Sequence, residues 1–321
     1  MRVLLVCPAP RGSRTGNRRT AERWAQLLRR LGHRARVATA LAPADVVIAL
    51  HARHSADAVL RAQVPVVLAL TGTDLYHDIN VDARAQAALA HADRIVVLHD
   101  LALAELPAEA RAKARVIRQS ALAPARAVPK SRRQFRIAVV GHLREVKDPL
   151  RAALAARELP ASSRVEIVHA GRALEPGFAR AARAEERANP RYRWLGELPA
   201  ARALRLIASA HVLVLTSRSE GGANVLGEAI ACGTPVIASD IAAARAALGA
   251  DYPALFPVGD TCALAALLAR AETDPTWLRS LARHVRARRP LFAERTELAA
   301  WRALLAELTP GGRPRGRTGR R

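Results

Sequence analysis

Two glutamates, eight positions apart, flank a glycine-containing turn in the second half of the chain. Glu220 precedes Gly221 and Gly222, and Glu228 follows on a segment predicted to be a short helix. Carboxylates accept hydrogen bonds from sugar hydroxyls, and the N–H groups at a helix start can hold a diphosphate. A nucleotide sugar requires both kinds of group. The alternative is a solvated Glu220 and a Glu228 that only complements the helix dipole.

The sequence on either side of this turn favours a binding site. The apolar run from His211 to Thr216 is typical of a buried parallel strand. Cys232-Gly233-Thr234-Pro235 ends the helix, and Val236 to Ala238 resumes a buried strand. The acids are therefore expected in the crevice beyond the carboxyl end of a strand, where open α/β sheets bind their ligands.

A basic loop follows another predicted strand. The strand ends at Val140 and leads into Gly141-His142-Leu143-Arg144-Glu145-Val146-Lys147, after which Asp148 and Pro149 are predicted to cap and start a helix. Arg144 and Lys147 could face the crevice of the two glutamates and neutralise a departing diphosphate. Either residue could instead be an ordinary surface cation.

A glycine-bearing segment with four arginines follows the first predicted strand. It spans Pro8 to Thr20, and its N–H groups and its cations Arg11, Arg14, Arg18 and Arg19 suit a small anion. The glycines are too far apart for the dinucleotide-binding pattern G-x-G-x-x-G. A flexible, solvated loop is the competing interpretation.

Polar residues also follow the fourth predicted strand, in the segment from Leu70 to Asp78. Asp74 could act as an acid or base or orient a neighbouring group, and Thr73 could donate to an anion, although either residue could be a plain helix cap. Three histidines also lie near strand ends of the first half and rank below Asp74, because a lone histidine is more often structural; they are His51, His54 and His99.

Composition narrows the possible classes of protein. The 321 residues allow two domains, and a net charge of +23 favours anionic ligands. A nucleic-acid-binding protein is disfavoured because the arginines are scattered and aromatic residues are only 3% of the chain. The three cysteines indicate neither a disulfide framework nor a zinc site. No membrane-spanning run or signal peptide is found, so we expect a cytoplasmic protein with no membrane partner and no specific nucleic-acid partner.

Short apolar runs alternate with helical patterns along the chain, which predicts an α/β protein with two doubly wound, Rossmann-like domains facing a cleft. The expected N-terminal domain is residues 1–125, followed by a linker at 126–134, a second domain at 135–290, a helix at 291–309 crossing back to the first domain, and a disordered basic tail at 310–321. The predicted strands are Val3 to Val6, Ala35 to Thr39, Val46 to Leu50, Val66 to Leu70, Ile95 to Leu98, Val116 to Ile117, Ile137 to Val140, Val165 to Val168, Tyr192 to Leu195, Val212 to Leu215 and Val236 to Ala238.

Taken together, the 141–147 loop, the glutamate pair and the duplicated α/β halves resemble the retaining GT-B glycosyltransferases of family 4. The resemblance implies that Glu228 holds the ribose hydroxyls of a UDP-sugar and Glu220 a hydroxyl of its hexose. It further implies that the N–H groups from Gly222 to Val225, through Ala223 and Asn224, grip the diphosphate with Lys147. The turn at Leu195 and Gly196 would border the base.

One departure from that family is that His142 stands where an arginine is usual, so Arg144 would substitute for it. The segments from Gly12 to Arg18, Leu70 to Tyr76 and Gly141 to Asp148 are more narrowly similar to the selenosugar synthases of selenoneine biosynthesis. That likeness implies a UDP-sugar donor, typically UDP-N-acetylglucosamine, and a selenophosphate acceptor. The acceptor would be bound by Gly12, Ser13, Arg14, Gly16, Asn17 and Arg18.

The resulting hypothesis is a UDP-sugar-dependent selenosugar synthase whose catalytic residues are Glu220, Asp74 and Thr73. No cofactor and no metal are expected, because no Asp-x-Asp pair stands at a strand end. Three alternatives remain open: an ordinary family 4 hexosyltransferase acting on a small anion such as a sugar phosphate, a UDP-sugar 2-epimerase, and a basic nucleic-acid-binding protein.

Overall fold

The computed structural model describes residues 1–13, 15–72 and 74–308 of the chain. Arg14 and Thr73, predicted for acceptor binding and catalysis, lie outside the described residues, and so does the predicted tail at 310–321. The described residues form two compact units, one of residues 1–118 with 294–308, the other of residues 119–293. The first unit ends before the expected boundary at Ala125 because the chain from Gln119 already packs in the second, where the Ala121 N–H donates to the Phe292 carbonyl.

The first unit alternates strands with helices, as predicted. Its elements up to residue 118 are β1 (Arg2–Val6), α1 (Gly16–Arg30), β2 (Arg34–Ala38), β3 (Val46–Leu50), α2 (Ala56–Arg61), β4 (Val66–Ala69), α3 (Ile79–Val81), α4 (Ala83–His91), β5 (Arg94–Val97), α5 (Ala108–Ala112) and β6 (Ala114–Val116). A π-helical turn covers Asp74–Asp78 and a 3-10 helix covers Asp100–Glu105.

The six strands of the first unit form one parallel sheet in the order β2-β1-β3-β4-β5-β6. Its strands are apolar runs because both faces are covered: Leu4 and Val6 enter one core, and Val3 and Leu5 enter the other. The strand order reverses between β1 and β3, which places the switch point of this sheet beyond the carboxyl ends of those two strands.

The second unit repeats the alternation. Its elements are β7 (Phe135–Val140), α6 (Arg151–Arg157), β8 (Val165–Ala170), α7 (Phe178–Ala188), β9 (Tyr192–Trp194), α8 (Ala200–Ser209), β10 (Val212–Leu215), α9 (Asn224–Cys232), β11 (Val236–Ser239), α10 (Ala242–Leu248), β12 (Leu255–Phe256), α11 (Thr261–Thr273) and α12 (Pro275–Ala287). Short 3-10 helices cover Glu145–Lys147 and Arg289–Phe292.

The second sheet is also parallel, in the order β12-β11-β10-β7-β8-β9. Its order reverses between β7 and β10, so its switch point lies beyond the carboxyl ends of those strands. Two doubly wound parallel sheets with flanking helices confirm the predicted fold class. The two-residue strand β12 has no counterpart in the prediction, because it is too short to show a periodic pattern.

The last described helix, α13 (Glu294–Ala306), belongs to the first unit. Trp301 packs edge-on against Trp24 of α1 with the ring centroids 4.8 Å apart. The buried carboxylate of Glu297 accepts hydrogen bonds from the Trp24 indole at 2.8 Å and from both Nη atoms of Arg23 at 2.6 and 2.8 Å. A buried acid with all of these donors is satisfied, so the helix is held by polar as well as apolar contacts.

Candidate functional site

The loops that follow β7 and β10 are joined at the switch point of the second sheet. β10 pairs with β7 through Val212 and Leu213. Beyond the strands, the Arg218 N–H donates to the Val146 carbonyl at 2.8 Å, which ties the loop after β10 to the basic loop after β7. The topology therefore brings together the two motifs that the sequence analysis singled out, although they are about seventy residues apart.

Lys147 and Glu220 form an ion pair at this junction, between Nζ and Oε1. The Glu220 side chain is 10% exposed. Ser217 Oγ donates to the same oxygen at 2.6 Å. Among the residues that the structure describes, no hydrogen bond reaches the second oxygen, Oε2. The site thus presents an anchored carboxylate with one acceptor atom available.

The glycine-containing turn leads directly into α9. Gly221 and Gly222 precede Ala223, which adopts left-handed backbone angles (φ 40°, ψ 63°), and in the described structure the helix begins at Asn224 without a side-chain cap. The first N–H groups of α9 and the positive end of its dipole therefore have no capping oxygen. Gly233 ends the helix in the left-handed conformation, as the sequence predicts.

Glu228 lies half-buried on the second turn of α9. Burial raises the pKa of the Cys232 thiol to about 11, and the Glu228 carboxylate one turn away adds to that shift. The cysteine is therefore a protonated, unreactive neighbour of this carboxylate.

Arg144 is already engaged by an acid that the sequence analysis missed. Its Nε lies 3.4 Å from Glu175 Oε1, while Glu175 Oε2 accepts the Glu145 N–H at 2.7 Å. His142 Nδ1 accepts the Arg172 N–H at 3.1 Å, so the neutral ring of His142 carries its proton on Nε2. His142 therefore carries its N–H on Nε2 where the family resemblance expects an arginine.

The predicted start of the helix after Lys147 is wrong. Asp148 was expected to cap a helix beginning at Pro149, but α6 begins at Arg151 and Asp148 ends the preceding 3-10 turn in the left-handed conformation (φ 43°, ψ 58°). Its carboxylate accepts from Arg151 Nε at 2.8 Å instead of capping the backbone. The physical reason is that the hydroxyl of Thr216, directly after β10, bonds to the Lys147 and Asp148 carbonyls and so fixes the backbone at this point.

The loop at Gly141 is held against the neighbouring strand β8. Burial lowers the pKa of His169 to about 4, so its ring is neutral; Nδ1 accepts from the Tyr192 hydroxyl at 3.0 Å and Nε2 donates to the Gly141 carbonyl at 3.2 Å. A Cβ built on Gly171 would stand 1.7 Å from that same carbonyl oxygen. The Gly171 N–H also donates to the Gly196 carbonyl at 2.8 Å, which places the predicted Leu195–Gly196 turn beside this loop.

The predicted acceptor residues after β1 are divided between a loop and a helix. Gly12 has a φ of 83° and Ser13 closes a turn on Pro10, whereas Gly16, Asn17 and Arg18 belong to the first turn of α1. The helix therefore starts at Gly16, inside the segment from Pro8 to Thr20 that the sequence suggested for an anion. Arg18 is 6% exposed and its Nε donates to Glu22 at 2.6 Å, so it is a buried, paired cation and not an exposed one.

Asp74 is fully buried and organises two loops of the first unit. Its Oδ1 accepts the N–H groups of Thr71 at 3.0 Å and Gly72 at 2.7 Å, and its Oδ2 accepts the N–H of Ala52 at 3.0 Å. A carboxylate with three backbone donors is an anchor for the chain. The geometry favours the positioning role over the acid or base role that the sequence also allowed.

His51 carries a stronger sign of function than its sequence context gave. It is buried at the end of β3 with a φ of 79°, a strained conformation for a residue other than glycine. Its Nε2 lies 3.7 Å from Asp78 Oδ2, and burial lowers its pKa although the carboxylates of Asp74 and Asp78 oppose this shift. His99 accepts from the Ala102 N–H at 3.0 Å and lies 3.0 Å from the Tyr76 hydroxyl, and burial lowers its pKa to about 4.

Residues 125–288, about half of the chain, match the family of glycosyl transferases group 1. The protein belongs to this family. The matched region contains the β7 loop, the β10 loop and α9, so the family signature coincides with the site described above. None of the curated proteins matches the sequence.

Solved glycosyltransferases share the fold of the whole chain. Sucrose-phosphate synthase from Thermosynechococcus elongatus superimposes with a TM-score of 0.78 at 16% identity, over 96% of this chain and 98% of that one. HepE from Anabaena, solved with UDP and glucose, gives a TM-score of 0.75 at 17% identity over 96% and 100%. A UDP-forming trehalose-phosphate synthase from Burkholderia xenovorans gives 0.66 at 16% identity over 91% and 78%. These likenesses identify the fold as GT-B.

In this group 1 glycosyltransferase, the second unit collects most of the predicted donor residues around one junction. Sequence reasoning missed the residues that position these donor residues. They are Ser217 and Thr216 after β10, Glu175, which pairs with Arg144, and His169 and Gly171, which pack against the Gly141 carbonyl. Within the described chain, no group of three or more His, Cys, Asp or Glu residues is arranged to hold a metal ion. No described helix has the length and apolarity needed to cross a membrane.

Proposed function

We propose that the protein transfers the hexose of a UDP-sugar, and that the switch point of the second unit binds this donor. One observation carries the proposal: the ammonium of Lys147 and the nearly buried carboxylate of Glu220 meet beside the uncapped start of α9. A cation and a helix N-terminus recognise a diphosphate, and a carboxylate recognises sugar hydroxyls. All three groups on one junction match the two halves of a nucleotide sugar.

The donor is proposed to lie with its diphosphate on Lys147 and the N–H groups of residues 222–225. Glu228 then accepts the ribose hydroxyls, Glu220 Oε2 accepts a hexose hydroxyl, and the base lies beside Leu195 and Gly196. His142 supplies its Nε2–H to the diphosphate. HepE was solved with UDP and with UDP-glucose, and sharing its fold supports a UDP-sugar as the donor of this chain.

The acceptor is proposed to be selenophosphate, on the likeness to selenosugar synthases and on the cationic segment after β1. Selenium attacks the anomeric carbon, the C–Se bond forms, and the bond between that carbon and the UDP oxygen breaks with its electron pair leaving on UDP. Positive groups around the diphosphate stabilise the charge that grows there. Water then cleaves the P–Se bond, which releases phosphate and leaves a selenosugar. The donor hexose proposed on the same likeness is N-acetylglucosamine.

The test is incubation of the protein with UDP-N-acetylglucosamine and selenophosphate in the absence of divalent cation. UDP release and a selenium-bearing sugar, detected by mass spectrometry, are expected. UDP release with sugar phosphates but not with selenophosphate would move the assignment to an ordinary hexosyltransferase, and conversion of the sugar without an acceptor would indicate a 2-epimerase. Polyanion binding that falls steeply with salt, with no stabilisation by UDP, would indicate a nucleic-acid-binding protein.

A matched pair of variants locates the donor site. Lys147→Gln should weaken UDP binding by about tenfold or more, the cost of losing one charge-assisted hydrogen bond of about 1.5–3 kcal/mol. Lys130→Gln removes the same charge from an exposed position of the same unit and should leave UDP binding unchanged. Equal effects of the two variants would mean that UDP responds to overall charge and not to this site.

A further inference from the structure

Two buried hydroxyls follow β10 directly, and each reaches a different part of the candidate donor site. Thr216 is 3% exposed and Ser217 is 1% exposed. Thr216 bonds to the loop that carries Lys147, whereas Ser217 bonds to Glu220 itself. Adjacent residues thus hold the two members of the ion pair separately.

Thr216 fastens the Lys147 loop to the end of β10. Its Oγ1 lies 2.9 Å from the Lys147 carbonyl and 3.0 Å from the Asp148 carbonyl, so one hydroxyl proton is shared between two acceptors. Asp148 is held there in the left-handed conformation, which costs free energy for a residue other than glycine. Because Lys147 and Asp148 are otherwise part of a short 3-10 turn, this contact fixes where the lysine side chain starts.

Ser217 keeps Glu220 in place without the help of Lys147. Its Oγ donates to Glu220 Oε1, the oxygen that Lys147 also contacts, and its own carbonyl accepts from Ser239 Oγ at 2.5 Å. Ser239 is fully buried on β11, so Ser217 is braced by the sheet. If a diphosphate binds Lys147 in place of Glu220, Oε1 loses its lysine partner but keeps the Ser217 hydroxyl.

We infer that Thr216 and Ser217 are positioning residues that let donor binding break the Lys147–Glu220 pair while both side chains stay in place. Ser217 holds Oε1 so that Oε2 remains the acceptor for a hexose hydroxyl, and Thr216 holds the backbone of Lys147 for the diphosphate. This inference rests on the proposed function. The two hydroxyls therefore separate recognition of the sugar from recognition of the diphosphate.

The test compares the affinities for UDP and for the complete UDP-sugar in four variants. Ser217→Ala should lower the affinity for the UDP-sugar about tenfold more than the affinity for UDP, the effect of about one hydrogen bond, because only the UDP-sugar has a hexose hydroxyl that needs Oε2 held in place. Thr216→Val should weaken both ligands by about tenfold, and Thr216→Ser, which keeps the hydroxyl, should restore both. Ser217→Cys fills the same space with a weak donor and should show the sugar-specific loss in smaller degree.

Matched controls come from buried hydroxyls of the same unit. Thr234 Oγ1 donates to the Ile207 carbonyl at 2.9 Å and Ser209 Oγ to the Leu206 carbonyl at 3.0 Å, so Thr234→Val and Ser209→Ala lose equivalent bonds. These two variants should leave both affinities unchanged. Equal losses of UDP and UDP-sugar in Ser217→Ala, or unchanged affinities in Thr216→Val, would overturn the inference with the proposed function intact. A wild-type protein that UDP does not stabilise would overturn both.

Discussion

Replacing Gly171 by alanine should displace the loop at Gly141 and His142, which belongs to the candidate site. Gly171 follows β8, and an ideal Cβ at this position would stand 1.7 Å from the Gly141 carbonyl oxygen, 2.5 Å from its carbonyl carbon and 3.0 Å from the His142 nitrogen. All three atoms are backbone, so no side chain can rotate away. The added methyl group must therefore displace the backbone of Gly141 and His142.

The size of the effect follows from that overlap. Moving the Gly141 oxygen from 1.7 Å out to 3.0 Å requires a shift of 1.3 Å, and it pulls against the His169 ring, which donates to the same oxygen at 3.2 Å. A misplacement of about 1 Å at a catalytic site costs on the order of a hundredfold in rate. Overpacking typically costs about 1–3 kcal/mol of stability. We therefore expect both a lower melting temperature and a loss of about a hundredfold in kcat/KM.

Gly141→Ala is the matched comparison, because a Cβ there would have no described atom within 4 Å other than those of its own residue and its two chain neighbours. Its melting temperature should equal that of the wild type, while its KM for the UDP-sugar should rise if the diphosphate approaches this strand end. Thermal unfolding measures the first quantity, and UDP release over a range of donor concentrations measures the second. Wild-type stability and wild-type kcat/KM in Gly171→Ala would refute the reasoning.

Three further predictions test other parts of the structure. Asp74→Asn leaves at least one of three backbone donors without an acceptor, so the free energy of unfolding should fall by about 1–3 kcal/mol while kcat stays nearly unchanged. An unchanged melting temperature with a lost kcat would instead indicate that Asp74 is a catalytic acid. Burial lowers the pKa of His169 to about 4 in the folded protein, against 6.5 in the unfolded chain, so its contribution to the free energy of unfolding is complete above pH 6.5 and is lost as the pH falls to 4. In denaturant titrations over that window, the wild type should lose up to about 3 kcal/mol more stability than His169→Gln. Iodoacetamide should label the exposed Cys262 before Cys232, whose pKa burial raises to about 11, and peptide mapping showing the reverse order would contradict the burial of Cys232.

Much of the fold can be predicted from the sequence because parallel strands buried on both faces leave a strong signal. Runs such as Val46 to Leu50 and Val212 to Leu215 are apolar at every position and match the observed strands residue by residue. Their alternation with helices then determines the doubly wound class. The apolar runs do not encode which strands are neighbours in each sheet, yet that order creates the switch point where the site lies.

The candidate site is only partly visible in the sequence, because its geometry depends on residues distant in the chain. Glu220 and Lys147 carry a chemical signal, and each was found. Glu175, which engages Arg144, and Gly171, which admits the Gly141 carbonyl, carry none until the strand order places β8 beside β7. The Asp148 prediction failed for the same reason: an aspartate before a proline is a common helix start, and a contact from the residue after β10 overrides it.

Both cations predicted to receive the diphosphate already have carboxylate partners, Glu220 for Lys147 and Glu175 for Arg144. On the proposed function, a phosphate or diphosphate therefore has to displace a carboxylate, and the ion pair that it breaks offsets part of the attraction that it gains. A complete UDP-sugar differs, since its hexose hydroxyl donates to the carboxylate that loses its lysine. On this proposal the site discriminates by exchange of partners: the hexose hydroxyl replaces the contact that Glu220 loses to the diphosphate, and Ser217 keeps the acceptor oxygen where that hydroxyl can reach it.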